Sequence, residues 1–263
     1  MKVTYFPGCT LKNKARDLDE YARKSAEALG ITLEEPETWQ CCGGVFTTAN
    51  DEVATKLSSV RLLKAAAEAG QPLVTVCSAC HNVVKQTNYA MANDPTFADR
   101  VNRYMAEKTL YTGDTKVYHY LELLRDVVGF ENLAKAVKKP LTGKKIGAYY
   151  GCLLLRPGKV MGMDDPENPR IIEDLIRALG GEVVTYARRN ECCGGYVSAE
   201  SPALAKKNSN LIAENAASAG AELLVTACPL CKYNLEKNGS SVPVVYFTEL
   251  LAEALGLKED AND

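Results

Sequence analysis

The ten cysteines of this 263-residue chain fall into two sets of the same form. Each set has a lone cysteine, then an adjacent pair followed by two glycines, then a Cys-x-x-Cys, and 34 residues separate the pair from the Cys-x-x-Cys in both. Thiolates bind zinc and iron and carry redox chemistry, so a repeat that uses every cysteine indicates metal binding. The first set is Cys9, Cys41, Cys42, Cys77 and Cys80, and the second is Cys152, Cys192, Cys193, Cys228 and Cys231.

Four kinds of cysteine chemistry compete. Structural disulfides are disfavoured because an apolar fraction of 46% allows an ordinary core and the N-terminal sequence does not read as an export signal. Zinc takes four ligands in a tetrahedron, which five cysteines exceed, although zinc in one half stays open. Inert buried thiols do not explain the repeated spacing. An iron–sulfur cluster in each half fits best, and a fifth thiolate predicts an unusual cluster because ordinary cubanes use four.

Glycines follow both cysteine pairs. Because glycine has no Cβ atom, the backbone there can approach a cofactor closely and point its N–H groups at sulfur. We expect four glycines to contact the cofactor in this way, with plain turn residues as the alternative. These are Gly43, Gly44, Gly194 and Gly195.

The chain has two histidines. His81 directly follows Cys80, so it is a candidate to donate a hydrogen bond to a cluster sulfur or to relay a proton. The alternative is an ordinary surface or half-buried histidine. His119 lies in a strand pattern and is predicted to be structural.

The two sets lie in two halves that repeat one order of strands and helices. Gly8-Cys9 and Gly151-Cys152 each follow a short apolar strand, and a second strand leads into each Cys-x-x-Cys. Alternating strands and helices predict an α/β fold of two similar halves related by a pseudo-twofold, each a small, mostly parallel sheet with flanking helices. Sites in such sheets form beyond the carboxyl ends of the strands, where the cysteines fall.

The repeat also predicts the elements and the domain boundary. A length of 263 residues suits two domains of about 130 residues, with the join at 138–143, giving 1–139 and 140–263. The halves differ by insertions within 81–116 and 156–169. Strands are predicted over 3–6, 33–34, 73–76 and 117–120 and over 146–150, 183–185, 224–227 and 244–247, and helices over 17–29, 51–69, 169–179 and 202–219.

Composition excludes several classes of function. A net charge of -2 argues against a nucleic-acid partner, and no apolar run approaches the roughly 18–20 residues of a membrane span. Without a recognisable export signal, the expected compartment is the reducing cytoplasm, where cysteine clusters bind metals or carry redox chemistry. No flavin, nicotinamide or phosphate-binding fingerprint is present, so we expect electrons to arrive from another protein.

The pattern Cys9…Cys41-Cys42-Gly43…Cys77-x-x-Cys80, present twice, resembles the double cysteine-rich CCG domain, and the nearest likeness is the B-type subunit of heterodisulfide reductase. The resemblance covers the whole chain and all ten cysteines. It implies two noncubane [4Fe-4S] clusters, each held by the five cysteines of one set, that face each other across the pseudo-twofold. It further implies an oxidoreductase that cleaves a disulfide of the CoM-S-S-CoB type, held between the clusters, into two thiolates that the irons capture.

The resemblance also implies partners. They are a C-type subunit with two ferredoxin-like clusters and a flavin-bearing A-type subunit, which feed electrons to the chain. The alternative function is electron transfer, because the same domain occurs in iron–sulfur subunits of flavin-dependent lactate and glycolate dehydrogenases. Many of those proteins lack a complete cysteine set in one half, so the two complete sets favour the disulfide reductase. A zinc-stabilised scaffold without redox function is the third class.

Overall fold

Two four-stranded sheets, one in each half of the chain, form the framework of the computed structural model, which describes residues 1–44, 53–106, 109–238 and 240–258. All strand pairs in both sheets are parallel. The predicted α/β fold of two similar halves is therefore confirmed. The strands are β1 (Lys2–Phe6), β2 (Thr32–Glu34), β3 (Leu73–Thr75), β4 (Val117–His119), β5 (Lys145–Tyr149), β6 (Glu182–Val184), β7 (Leu223–Thr226) and β8 (Val244–Tyr246).

Helices fill the connections between the strands, as the sequence predicts. The predicted helix over 51–69 is present from Leu57, and its predicted first two residues lie outside the described part of the chain. The helices are α1 (Gly8–Asn13), α2 (Arg16–Ala28), α3 (Leu57–Glu68), α4 (Ser78–Asn93), α5 (Pro95–Met105), α6 (Tyr120–Leu123), α7 (Phe130–Ala136), α8 (Gly158–Met161), α9 (Ile171–Ala178), α10 (Pro202–Ser218), α11 (Pro229–Lys237) and α12 (Phe247–Ala254).

The strand order places a topological switch point beside each cysteine set. The first sheet runs β2-β1-β3-β4 and the second β6-β5-β7-β8, so the chain leaves the first strand on one side and returns on the other. Ligands bind at such points, outside the carboxyl ends of the two central strands. In the first half these ends are Phe6 and Thr75, which are paired in register and lead into Cys9 and Cys77.

The two halves share one core because their last helices are exchanged. Helix α12 of the second half packs against α2 of the first, and α7 of the first half packs against α9 of the second. Thr248 Oγ1 on α12 donates a hydrogen bond of 2.9 Å to the carbonyl of Leu18 on α2. One hydrophobic cluster includes Tyr5 from the first sheet and Ile146 from the second. This shared core fixes the two cysteine sets relative to each other.

The two insertions contact each other. Residues 81–116 form most of the long helix α4 and all of α5, while 156–169 include α8, which packs against α4. The Asn82 side chain on α4 donates hydrogen bonds to the carbonyls of Leu153 and Arg156 at 2.8 and 2.7 Å. The insertions therefore add a second contact between the halves. No helix in the four described ranges is long and apolar enough to span a membrane.

A Tyr246→Phe variant is expected to be destabilised by about 1–2 kcal/mol, because the buried Tyr246 hydroxyl donates to the carbonyls of Val76 and Ala227, at the ends of strands from opposite halves. Anaerobic urea unfolding followed by circular dichroism measures the change. The control is Tyr104→Phe, whose ring is 64% exposed and for which we expect a change within about 0.5 kcal/mol. Equal unfolding free energies for both variants would contradict this role of Tyr246.

Candidate functional site

The five cysteines of the first set lie together at the carboxyl ends of β1 and β3. Cys9 is in the first turn of α1, Cys77 is the N-cap of α4, Cys80 is in its first turn, and the pair Cys41 and Cys42 follows β2. The Sγ atoms of Cys9 and Cys41 are 3.5 Å apart, as are those of Cys42 and Cys80. Cys77 is hydrogen-bonded to Cys80. The five sulfurs therefore form one continuous group.

The second set repeats this arrangement around β5 and β7. The Sγ atoms of Cys193 and Cys231 are 3.6 Å apart, Cys152 is hydrogen-bonded to Cys192, and Cys228 to Cys231. All five cysteines of this set line one narrow cavity, which Ser78 of the first half also reaches. The second half thus brings its complete set to one place, although the five positions span most of its sequence.

The two sets meet at the interface between the halves. The thiols of Cys77 and Cys228, the N-caps of α4 and α11, are neighbours across this interface, and each shifts the pKa of the other. Beside them, the backbone N–H and the hydroxyl of Ser78 both donate to the carbonyl of Ala227, at 3.1 and 2.8 Å. The N-termini of α4 and α11 therefore lie side by side at the cysteines, where their dipoles favour negative charge on sulfur.

Backbone N–H groups of the glycines point at cysteine sulfurs. The N–H of Gly194 donates to Cys192 Sγ at 3.3 Å, and its φ of +80° is a left-handed conformation that favours glycine. The remaining three glycines of the two motifs donate in the same way, each to a cysteine of its own pair. They are Gly43, Gly44 and Gly195, which donate to Cys41, Cys42 and Cys193.

The glycine before each lone cysteine leaves room for a sulfur. A Cβ atom on Gly8 would lie 2.7 Å from Cys80 Sγ, well inside van der Waals contact, and the φ of Gly8 is +77°. At the equivalent Gly151 the distance to Cys231 Sγ would be 3.3 Å. The backbone at these glycines therefore packs closely against each cysteine set. A side chain at Gly8 would occupy the space that Cys80 Sγ now takes.

Hydrogen bonds among the thiols lower the pKa of Cys42 in the first pair and of both cysteines, Cys192 and Cys193, in the second. The bond from Cys41, followed by the one with Cys80, lowers the pKa of Cys42 to about 3. The bond with Cys152 lowers the pKa of Cys192 to about 6. Thiolates are the form of cysteine that binds metal.

These features fit an iron–sulfur cluster in each half. The adjacent sulfurs can supply thiolate ligands, the backbone N–H groups aimed at sulfur favour the thiolate form, and a wall without Cβ atoms leaves room for such a group. Within the described ranges, no three His, Cys, Asp or Glu side chains are arranged to hold a single metal ion. Zinc in one half therefore finds no support in the structure.

His81 is fully buried, so the interpretation as a surface or half-buried histidine is wrong. Its Nδ1 lies 3.0 Å from Thr75 Oγ1, and its Nε2 lies 3.3 Å from Glu122 Oε2. Burial, followed by the charge on Lys85, lowers the pKa of His81 well below its usual value. Both ring nitrogens face oxygen atoms, and a contact of His81 with a cofactor stays a prediction.

Because His119 is buried, we expect the protein to lose stability in acid. The Nδ1 atom of His119 accepts a hydrogen bond from the backbone N–H of Leu121, and burial lowers the pKa of His119 to about 3. Because the unfolded chain binds the proton with a pKa of about 6.5, stability falls as the pH drops below that value, by about 2 kcal/mol at pH 5. The test is His119→Asn, which keeps an acceptor at the helix cap but has no titrating ring. Between pH 7 and 5, in anaerobic urea titrations, its free energy of unfolding is expected to fall by about 2 kcal/mol less than that of the wild type. An equal loss in both proteins would contradict the assignment to His119.

Tyr196 is a site residue that the sequence analysis missed. It follows the second Cys-Cys-Gly-Gly directly and lines the same cavity as the second set. Partial burial of its ring, followed by the charges on Cys228 and Cys77, raises its pKa above the usual value. Its place immediately after the motif is the signal that could have identified it.

Comparisons with known proteins agree with this geometry. The family model for the cysteine-rich CCG domain matches residues 3–85 and 146–236, and the chain belongs to this family, with two copies of the domain. A protein named as the membrane anchor of 8-methylmenaquinol:fumarate reductase from Wolinella succinogenes is 33% identical over 97% of this chain and 93% of its own length. The B-type subunit of a ferredoxin/F420H2-dependent CoB-CoM heterodisulfide reductase from Methanosarcina acetivorans is 28% identical over 98% of this chain and 91% of its own length.

A solved structure shows the same fold. A hypothetical protein from Helicobacter pylori superposes with a TM-score of 0.76 over 98% of this chain at 13% identity. The chain spans about half of that protein, 49% of its length. At this identity the likeness concerns the fold alone.

Proposed function

We propose that the chain is the iron–sulfur catalytic subunit of a heterodisulfide reductase-like complex and that it reduces a disulfide between two thiol coenzymes. The observation that supports this most is the contact between two complete five-cysteine sets, made through Cys77 and Cys228 across the interface of the halves. The relatives named as B-type subunits of heterodisulfide reductases support the same class of complex. The proposed substrate is of the CoM-S-S-CoB type.

The proposed cofactors are two noncubane [4Fe-4S] clusters, which together supply the two electrons that reduction of one disulfide requires. Each set of five cysteines would hold one of them, with the N–H groups of the motif glycines directed at sulfur. Six of the ten cysteines are buried and would anchor the cofactors in the protein. The exposed cysteines leave each set open on one side, where a small disulfide can enter, and these are Cys9, Cys41 and Cys192.

The reaction balances as R-S-S-R′ plus two electrons and two protons giving R-SH and R′-SH. One S–S bond is broken, and the two sulfurs leave as separate thiols. The protein's own contribution is to keep two equivalent sites in contact across a shared core, so that both sulfurs of one disulfide are within reach. It also keeps the α4 and α11 N-termini beside the cysteines, where they favour the negative charge that develops on the departing sulfurs.

Electrons require a partner. We propose a ferredoxin-like C-type subunit and a flavin-bearing A-type subunit as the source of electrons, and the reducing cytoplasm as the compartment, which suits ten free thiols. We also propose the division into units 1–139 and 140–263. The support is that each four-stranded sheet is formed within one of these ranges.

A second candidate function is electron transfer without substrate reduction. The observation that favours it is the 33% identity to a component of a reductase that acts on fumarate, according to its name. In this function the chain would pass electrons between a quinol or a flavin-dependent lactate or glycolate dehydrogenase and another redox protein. A simple relay has no evident need of two complete five-cysteine sets in similar halves, which is why we prefer the disulfide reductase.

Disulfide turnover distinguishes the two functions. The anaerobic holoprotein is reduced with a viologen dye and mixed with the CoM-CoB heterodisulfide or glutathione disulfide, and dye oxidation and released thiols are measured. Release of two thiols for each two electrons consumed supports the reductase. No release from either disulfide, together with rapid electron exchange with a flavin dehydrogenase, would favour the relay.

A further inference from the structure

The Tyr196 side chain connects the two cysteine motifs. Tyr196 is in the 3-10 turn Gly195–Val197, directly after the second motif, and lines the cavity of the second set. Its ring extends to the first motif, since a Cβ atom on Gly44 would lie 3.7 Å from Tyr196 Cε1 and 3.9 Å from its hydroxyl. The equivalent residue of the first half, Val45, lies outside the described residues and carries no hydroxyl. One side chain of the second half therefore borders both sets.

The Tyr196 hydroxyl is available to a ligand. Tyr196 is 46% exposed, although its ring lies next to buried cysteines. Its hydroxyl makes no hydrogen bond to another residue in the described part of the chain, whereas the hydroxyls of Tyr149, Tyr150 and Tyr246 are all hydrogen-bonded. A tyrosine presents an apolar face and a polar tip, and the ring edge and hydroxyl of Tyr196 both lie near Gly44 of the first motif.

We propose that Tyr196 forms the wall of the cleft between the two cysteine sets and holds the disulfide substrate there, with its ring against the substrate sulfurs and its hydroxyl donating a hydrogen bond to one of them. This inference rests on the proposed function. Aromatic rings make favourable contacts with sulfur, and a phenol donates to a sulfur that gains negative charge. No covalent bond of Tyr196 is made or broken in the reaction. Its role is to orient the disulfide so that one sulfur faces each cysteine set.

The placement also distinguishes the two ends of the substrate. Because a tyrosine follows only the second motif, the phenol ring distinguishes the second motif from the first in sequence. A mixed disulfide of two different thiols requires such an asymmetry to bind in one orientation. Tyr196 is therefore a specificity-determining residue of the proposed reaction.

The test uses the anaerobic holoprotein and Tyr196→Phe, with Tyr104→Phe as the matched control on an exposed ring of α5. Coenzyme M is titrated by calorimetry, which needs no turnover, and kcat and KM are measured with the CoM-CoB heterodisulfide. For Tyr196→Phe we expect unchanged iron and sulfide content and coenzyme M binding or KM weakened by roughly 3- to 10-fold, the effect of one lost hydrogen bond. Tyr196→Ala, which also loses the ring, is expected to lower kcat/KM by about 100-fold.

The outcomes separate this inference from the proposed function. If the wild type turns over and both Tyr196 variants match it in binding and in KM, the role of Tyr196 is refuted while the function stands. If the wild type binds coenzyme M but reduces no disulfide, the function fails and the binding of the variants still decides the role of Tyr196. If the wild type neither binds nor reduces, both are overturned. Iron loss in Tyr196→Phe would also refute the role, because it would make Tyr196 structural.

Discussion

A Cys193→Ser variant is expected to retain about half of the iron of the wild-type protein, about four irons in place of about eight, and to lose disulfide reduction. Cys193 Sγ is buried and 3.6 Å from Cys231 Sγ, so the substitution removes one of the five proposed ligands of the second cluster. Asn234 Nδ2 donates to the Cys193 carbonyl at 2.7 Å, and this backbone contact survives the substitution. The fold and the first set should therefore persist.

The matched variant is Cys42→Ser, the equivalent position of the first set, where Sγ is 3.5 Å from that of Cys80. Cys42→Ser should lose the iron of the first half, keep that of the second, and also lose disulfide reduction. Anaerobic purification followed by iron, zinc and sulfide analysis measures both, and circular dichroism checks that the fold is retained. Wild-type protein with about four irons and one zinc would point to the mixed alternative, and zinc alone would refute the iron–sulfur proposal. A variant that reduces disulfides without either cluster would rule out the mechanism.

A Gly8→Ala variant is expected to lose the iron of the first half while keeping that of the second. The new Cβ would lie 2.7 Å from Cys80 Sγ, and Cys80 can relieve this contact only by turning its sulfur away from its present position or by a shift of α4. The left-handed backbone, with φ at +77°, adds about 1–2 kcal/mol of strain for any residue other than glycine. Iron content and the free energy of unfolding are the measurements.

A Gly30→Ala variant separates the effect of backbone strain from the effect of contact with the sulfur. Gly30 has nearly the same φ, +74°, but a Cβ atom there would have no neighbour within 4 Å. It should therefore lose about 1–2 kcal/mol of stability and keep all of its iron. If both variants lost iron equally, backbone strain and not contact with the sulfur would be the cause. If Gly8→Ala kept full iron, the wall at Gly8 would have no part in holding the cofactor.

The sequence by itself determined the features that depend on local sequence patterns and on the internal repeat. The cysteine spacing and the alternation of strands and helices predicted two similar parallel sheets with a cysteine set at the strand ends, because strands of a parallel sheet present their carboxyl ends at one edge. Glycines after the pairs predicted backbone N–H groups aimed at sulfur, and the N–H of Gly194 reaches Cys192 Sγ. These inferences need only the local pattern and the repeat.

Only the tertiary structure decided how the halves combine. The packing of α12 on α2, the contact of Cys77 with Cys228 and the reach of Tyr196 to Gly44 join residues far apart in sequence, and no local pattern specifies them. His81 is an example of the difference: its position after Cys80 was evident, but its full burial follows from neighbours on β3 and α6. Local spacing thus set what each half can bind, and the shared core set what the two halves can do together.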